Sequence, residues 1–317
     1  MRLTTIIGSF VAFAEAISIP STGTTSLREE AAKKNLLFGS GATNPAYLND
    51  SQFRAVLSQQ LNSLSPENEL KWNFVHPAQC QYDWHKLDTL VAFADANNMK
   101  VKGHGLLSPC CNPDYVLNIT SPDALRAEIT NHIEAIMHRY RGKMDRWDVV
   151  SEALKTNGSG LSSNHFYETL GPSWVEDSFR IARAADPDAK LFLNENLVEL
   201  QPKKRQELYD MVSKLISRGV PIDGIALQVH ITLEPLVTIA EMDVHTCNAT
   251  QLAEIYGSTI KEALDAGITD ISFWGFTDKH ACTWLPGAKP LMFNETYYPK
   301  SAFYATHSAL ADFNERS

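Results

Sequence analysis

Short apolar runs and amphipathic stretches alternate along most of this chain, and that alternation limits the fold more than any other feature. The runs at 36–42, around Leu64, and at 100–107, 147–150, 190–194, 222–230, 236–241 and 270–274 read as strands. The stretches at 50–61, 85–97, 121–140, 172–185, 202–217, 249–266 and 301–313 read as helices. Asp50 or Ser51 caps the first of these, Pro122 sits at the first turn of the third, and Gly219 stops the fifth. Strands separated by helices form a parallel sheet, and eight such units imply an α/β fold, the (β/α)8 TIM barrel. One unit departs from the pattern. Only residues 231–235 separate the sixth and seventh strands, whereas parallel neighbours need a crossover of about a dozen residues. The helix between those strands is therefore expected to be missing or reduced to a turn.

The polar motifs follow the strand ends, which in such a barrel share one face. The run Trp147-Asp-Val-Val-Ser-Glu152 ends on one carboxylate, and the run ending Ile239-Ala-Glu241 ends on another. Two acids at the mouths of two strands match what cleavage of a glycosidic bond needs, one as acid/base and one as nucleophile. Carboxyl groups about 5–5.5 Å apart give retention of configuration, and a wider gap admits a water and inverts.

Other features bound the setting. The net charge of -9 argues against nucleic acid and anionic membranes as partners. Arg2, the apolar residues 6–13 and Ala14-Glu15-Ala16 have the form of a secretory signal peptide, residues 1–16, followed by a single domain over 17–317. Residues 17–30 read as a loose polar leader. Sequons at Asn49, Asn118, Asn157, Asn248 and Asn294 fit a secreted, extracellular glycoprotein. In that setting the five cysteines should pair with one left over. The order of elements suggests Cys247 with Cys282, and Cys80 with Cys110 or Cys111.

The motifs taken together resemble glycoside hydrolase family 10, the group typified by endo-β-1,4-xylanases, over nearly the whole mature chain. Glu67-Asn-Glu-Leu-Lys-Trp72 is similar to ENEMKW, Lys102-Gly-His-Gly-Leu106 to RGHTL, and Trp147–Glu152 to WDVVNE. Gln228-Val-His230 is similar to QxH, Ile239–Asp243 to ITELD, and Trp274-Gly-Phe-Thr-Asp278 to WGVTD. The resemblance implies a TIM barrel, a retaining two-carboxylate mechanism and no cofactor or metal. It makes Glu152 the acid/base, Glu241 the nucleophile and His230 the group that orients Glu241. It assigns substrate contacts to Glu67, Asn68, Lys71, His104, Asn194, Gln228, Trp274 and Trp284, and leaves Asp243 between a structural and a functional reading.

The departures from the family pattern lie on the glycone side. Leu107-Ser108-Pro109 stands where Val-Trp-His is usual, Ser151 replaces the Asn before the acid/base, and Asn194-Glu-Asn196 lacks the Tyr of NDYN. Ser151 is too short to reach the sugar 2-hydroxyl in the usual way. These changes resemble the fungal tomatinase group. The expected function is accordingly a monomeric β-glycosidase that hydrolyses α-tomatine to tomatidine plus lycotetraose, a saponin-detoxifying virulence activity. The alternatives are an endo-β-1,4-xylanase acting on cell-wall xylan and a non-catalytic carbohydrate-binding barrel.

Overall fold

A computed structural model of the protein describes residues 21–231, 241–283 and 285–313. The expected signal peptide, most of the expected seventh strand and Trp284 lie outside the described residues. Strands β1 (Leu37–Thr43), β2 (Ser63–Pro66), β3 (Lys100–Gly103), β4 (Met144–Ser151), β5 (Lys190–Glu195) and β6 (Gly224–Leu227) follow one another in the sheet. Two short strands, β7 (His230–Ile231) and β8 (Asp243–Val244), pair in parallel, and β9 (Asp270–Phe273) pairs with β1.

Backbone hydrogen bonds at residues 241–242 close the ring. The Glu241 N–H donates to the Gln228 carbonyl (3.1 Å), the Met242 N–H to Ser272 (3.1 Å), and the Trp274 N–H back to Met242 (3.0 Å). Residues 241–244 therefore occupy the seventh barrel position, between the β6–β7 segment and β9. The fold is a (β/α)8 TIM barrel, as the eightfold alternation implies. Nine residues join Ile231 to Glu241, and the expected loss of the helix between the sixth and seventh strands falls on them, outside the described residues.

The helices form where local chemistry starts and stops them. Asp50 accepts from the N–H groups of Gln52 and Phe53 at the head of Ser51–Gln60, and Ser121 caps Pro122–Arg139 with proline in its first turn. Gly219, at a φ of 71°, follows the end of Pro202–Ser217. Two local expectations need correction. The leader is not loose throughout, because Ser26 and Glu29 make a capping box for the helix Leu27–Ala32. That helix buries Leu27 and Ala31 completely, and burial of its apolar side holds it on the barrel. A further helix, His165–Leu170, capped by Asn164, precedes Trp174–Ala185.

Close packing also dictates one glycine beside the barrel mouth. A Cβ on Gly103 would collide with the Trp147 ring, which is buried between β3 and β4. Glycine at the end of β3 thus leaves room for the Trp147 ring, and the next residue, His104, lines the cleft.

Candidate active site

Two strand ends at the mouth are bent. Glu152 follows β4 at a φ of 57°, and Val229 separates β6 from β7 at a φ of 51°. Left-handed backbone at a residue with a Cβ costs about 1–2 kcal/mol, and both instances border the cleft. The bend at Glu152 is held by its N–H donating to the Asn194 carbonyl (2.9 Å). The following residues are pinned by Glu195, which accepts from the Leu154 N–H and pairs with buried Lys204 at 2.8 Å.

Two amide side chains connect the acids. Gln228 Nε2 donates to Glu152 Oε1 (3.0 Å) and to Asn194 Oδ1 (2.8 Å). Asn194 Nδ2 in turn donates to Glu241 Oε1 (3.0 Å) and to Asp148 Oδ2 (3.1 Å). His104 Nδ1 lies 2.9 Å from Asp148 and 3.6 Å from Glu241, and Lys102 Nζ is 3.0 Å from the other Asp148 oxygen. On the far side His230 Nε2 lies 3.6 Å from Glu241 Oε2, and its Nδ1 faces Asp243 at 3.1 Å. His245 Nε2 is 3.1 Å from the second Asp243 oxygen.

This frame keeps Glu241 ionised. Burial alone would raise its pKa, but the charge of His104, the hydrogen bond and charge of His230, and the Asn194 amide together hold it below the usual carboxylate range. Asp148 and Asp243, also buried, are held low by Lys102 and His104 and by His230 and His245 respectively. An ionised, oriented and buried carboxylate is suited to nucleophilic attack. Glu152 is more open, and its position suits proton exchange with a leaving group or water.

His230 carries a measurable consequence. Burial lowers its pKa, but hydrogen bonds and charge from Asp243 and Glu241 outweigh that and raise it from 6.5 to about 10. A folded-state pKa above the unfolded one gives stability that is full below 6.5 and is lost as pH climbs toward 10. The melting temperature should therefore decline over that interval, and His230→Asn should flatten the decline. A variant whose alkaline slope matches the parent's would refute the coupling.

The cleft is lined by Lys71, His104, Gly105, Ser108, Cys110, Ser151, Glu152, Gln228, His230, Glu241 and Trp274. Lys71 holds Asn68 through a hydrogen bond from Nζ to Oδ1 (2.8 Å). The Ser151 hydroxyl is buried without a hydrogen-bond partner among the described residues, so a substrate hydroxyl could satisfy it. Glu67 is not among the lining residues and accepts instead from Asn44.

Two expectations change here. Asn194 is completely buried, with its amide committed to Asp148, Glu241 and Gln228, so it positions the acids rather than touching sugar. His104 lines the cleft as expected, and its Nδ1 also serves Asp148 and Glu241. The five cysteines are all unbonded, so the pairs Cys247–Cys282 and Cys80 with Cys110 or Cys111 are not formed. The reason is placement: the Cys110 thiol lies 2.9 Å from Cys111, Cys80 stands exposed in the turn bridged by Ala78 and Gln81, and the Cys247 thiol faces the Pro286 carbonyl. Of the sequon residues, Asn49, Asn118, Asn157 and Asn248 are exposed and Asn294 is half-buried.

Lys102, Asp148 and His245 were missed as site residues. The signal was present for the first two, since Lys102 follows Val101 and precedes Gly103, Asp148 lies between Trp147 and Val149, and buried charges are paired.

The model of glycosyl hydrolase family 10 matches residues 26–309. The chain belongs to that family. It is 35% identical over 289 residues to endo-1,4-beta-xylanase 3 of Hypocrea jecorina, covering 86% of this chain and 81% of that protein. Its fold is similar to native xylanase 10B from Thermotoga maritima, at a TM-score of 0.85 and 32% identity, over 90% of this chain and 98% of that one. It is equally similar to xylanase 10B from Thermotoga petrophila, solved in complex with xylobiose, at a TM-score of 0.85 and 32% identity over 91% and 98%. As a family 10 member the protein is a retaining glycoside hydrolase acting on O-glycosyl bonds. The expectation of α-tomatine as substrate is overturned by these relatives, which at 32–35% identity are named xylanases. The changes at 107–109, 151 and 196 leave the frame of acids, amides and histidines intact, so they do not by themselves redirect the substrate.

Proposed function

We propose that this family 10 hydrolase is an endo-β-1,4-xylanase in which Glu241 is the nucleophile and Glu152 the acid/base. The observation that carries this reading is the Glu152–Gln228–Asn194–Glu241 chain of hydrogen bonds, which holds both acids in one cleft. Glu152 donates its proton to the glycosidic oxygen as Glu241 attacks the anomeric carbon, and the aglycone departs as an alcohol. Glu152, now a carboxylate, then takes a proton from water, whose oxygen displaces Glu241 and restores the original configuration. Lys71, steadied by Asn68, and the Ser151 hydroxyl are placed to hold sugar hydroxyls, and the Trp274 face to pack against a ring. The xylanase names of the similar proteins, and the xylobiose bound in one of them, support xylan as the polymer.

Hydrolysis of xylohexaose and cellohexaose by the purified protein, followed by proton NMR, tests the reading. Shorter xylo-oligosaccharides should appear first as the β-anomer. The kcat/KM for xylohexaose should exceed that for cellohexaose by at least about tenfold, since the added hydroxymethyl group must be accommodated at each subsite. Initial release of the α-anomer would rule out retention, and faster cleavage of cellohexaose would rule out xylan.

A further inference from the structure

Cys110 and Cys111 are adjacent in sequence, and their Sγ atoms lie 2.9 Å apart, within about an ångström of the bonded distance of about 2.05 Å. Cys110 is exposed and lines the cleft beside Lys71, Ser151 and Glu152. The loop that carries the pair is firmly tied. Asn112 Nδ2 donates to the carbonyls of Ser108 (2.9 Å) and Pro109 (3.3 Å), and the Ser108 hydroxyl receives the Cys110 N–H (3.4 Å). The Cys111 carbonyl accepts from the Asn73 N–H at 2.9 Å. Asn73 belongs to the short helix Trp72–Val75, whose N-cap residue is Lys71. Movement of Cys111 is thus passed directly to the segment that presents Lys71 to the cleft.

We propose that Cys110 and Cys111 form a reversible vicinal disulfide that acts as a redox-controlled wall of the cleft. The Cys110 thiolate attacks one sulfur of a small-molecule disulfide such as glutathione disulfide, giving a Cys110–glutathione mixed disulfide and one glutathione thiolate. Cys111 then gives up its proton to solvent or to that thiolate and attacks the Cys110 sulfur, releasing the second glutathione. Two protein thiols are oxidised and one glutathione disulfide is reduced to two thiols.

The order of attack follows from placement. Cys111 is the more enclosed thiol, and burial, together with the neighbouring Cys110, pushes its pKa up to about 11, so the exposed Cys110 attacks first and Cys111 reacts only from its position beside the mixed disulfide. Ring closure is strained. Adjacent Cα atoms sit about 3.8 Å apart, shorter than the roughly 4.4–6.8 Å that disulfides usually span. Strained, exposed disulfides are the readily reduced ones, which fits a switch rather than a structural staple. Cys111 already has a left-handed backbone, with a φ of 62°, so closing the ring works against a backbone that is itself constrained. The strain pulls on the Asn73–Cys111 bond and loosens the grip of Lys71 on Asn68. Binding should suffer more than chemistry, because Glu152 and Glu241 are held from β4, Gln228 and Asn194.

The full-length protein is equilibrated with glutathione disulfide or with reduced glutathione, alkylated, and digested without reduction. The oxidised sample should yield the Cys110–Cys111 peptide lighter by two hydrogens and unalkylated. The KM for an aryl β-xyloside should rise about three- to tenfold, the effect of one weakened cleft hydrogen bond, with a smaller change in kcat, and should recover on reduction. Cys111→Ser should stop the reaction at the Cys110–glutathione mixed disulfide, a peptide heavier by one glutathionyl group, and should never yield the internally bridged form. Phenylarsine oxide, which bridges paired thiols, should inhibit the reduced protein and leave the oxidised one untouched, a readout that needs no variant to fold. A peptide that stays doubly alkylated, a link to Cys80, Cys247 or Cys282, or a KM indifferent to oxidation overturns the proposal. The kinetic half rests on the glycosidase reading and the peptide mass does not, so failure of one is distinguishable from failure of the other.

Discussion

Glu241→Ala is expected to lower kcat on xylo-oligosaccharides by at least about 10⁴-fold, the range seen when a covalent nucleophile is removed. The loss follows from the site's construction: His104, His230 and Asn194 all serve to ionise and aim this carboxylate, and none of them can attack in its place. Alanine leaves a small space walled by those same polar groups, which an azide ion can enter. Azide should restore turnover on an aryl β-xyloside and should appear in the product as the α-xylosyl azide, because it attacks once, from the nucleophile's face. Rescue that yields the β-azide would exchange the parts played by Glu241 and Glu152.

Glu152→Ala should behave differently in kind. Without the proton donor, cleavage of unactivated xylo-oligosaccharides should fall by about 10²–10⁴-fold. Aryl xylosides with acidic phenols need no proton to depart, so formation of the glycosyl-enzyme should persist for them. The second step then lacks its base, and a burst of phenol followed by slow turnover is expected. Azide should relieve that slow step and give the β-azide, with configuration retained. Equal losses for good and poor leaving groups would show that Glu152 does not protonate the leaving oxygen.

Gln228 bears on both outcomes. Its amide touches Glu152 directly and Glu241 through Asn194, so the two carboxylates are not independent. A variant at either acid leaves an amide of this bridge without its acceptor, and the remaining acid will shift somewhat. The configuration of the azide product is therefore a cleaner discriminator than the size of either rate loss.

Much of this protein was legible from residue order. The eightfold alternation carried the barrel because strand and helix periods are local properties of the chain. Glu152 and Glu241 stood out because each ends an apolar strand, where a barrel gathers its chemistry on one face. The helix Leu27–Ala32 was hidden by its polar setting. Its Ser26–Glu29 cap was available as a signal, but what holds it is burial of Leu27 and Ala31 against residues far along the chain.

Substrate choice was the point at which motif reading failed. Absent side chains at 108–109 and 151 suggested a different glycone, yet a missing group says only what no longer blocks the cleft. The sequence by itself determined the barrel, the two acids and the histidine beside one of them, since those follow from periodicity and motif order. Only the tertiary structure decided that Asn194 is an internal strut, that Lys102 and Asp148 join the frame around Glu241, and that Cys110 lines the cleft with Glu152. Such contacts depend on where strands distant in sequence bring their side chains once the ring has closed, and hydrogen-bond partners across a barrel have no period in the chain.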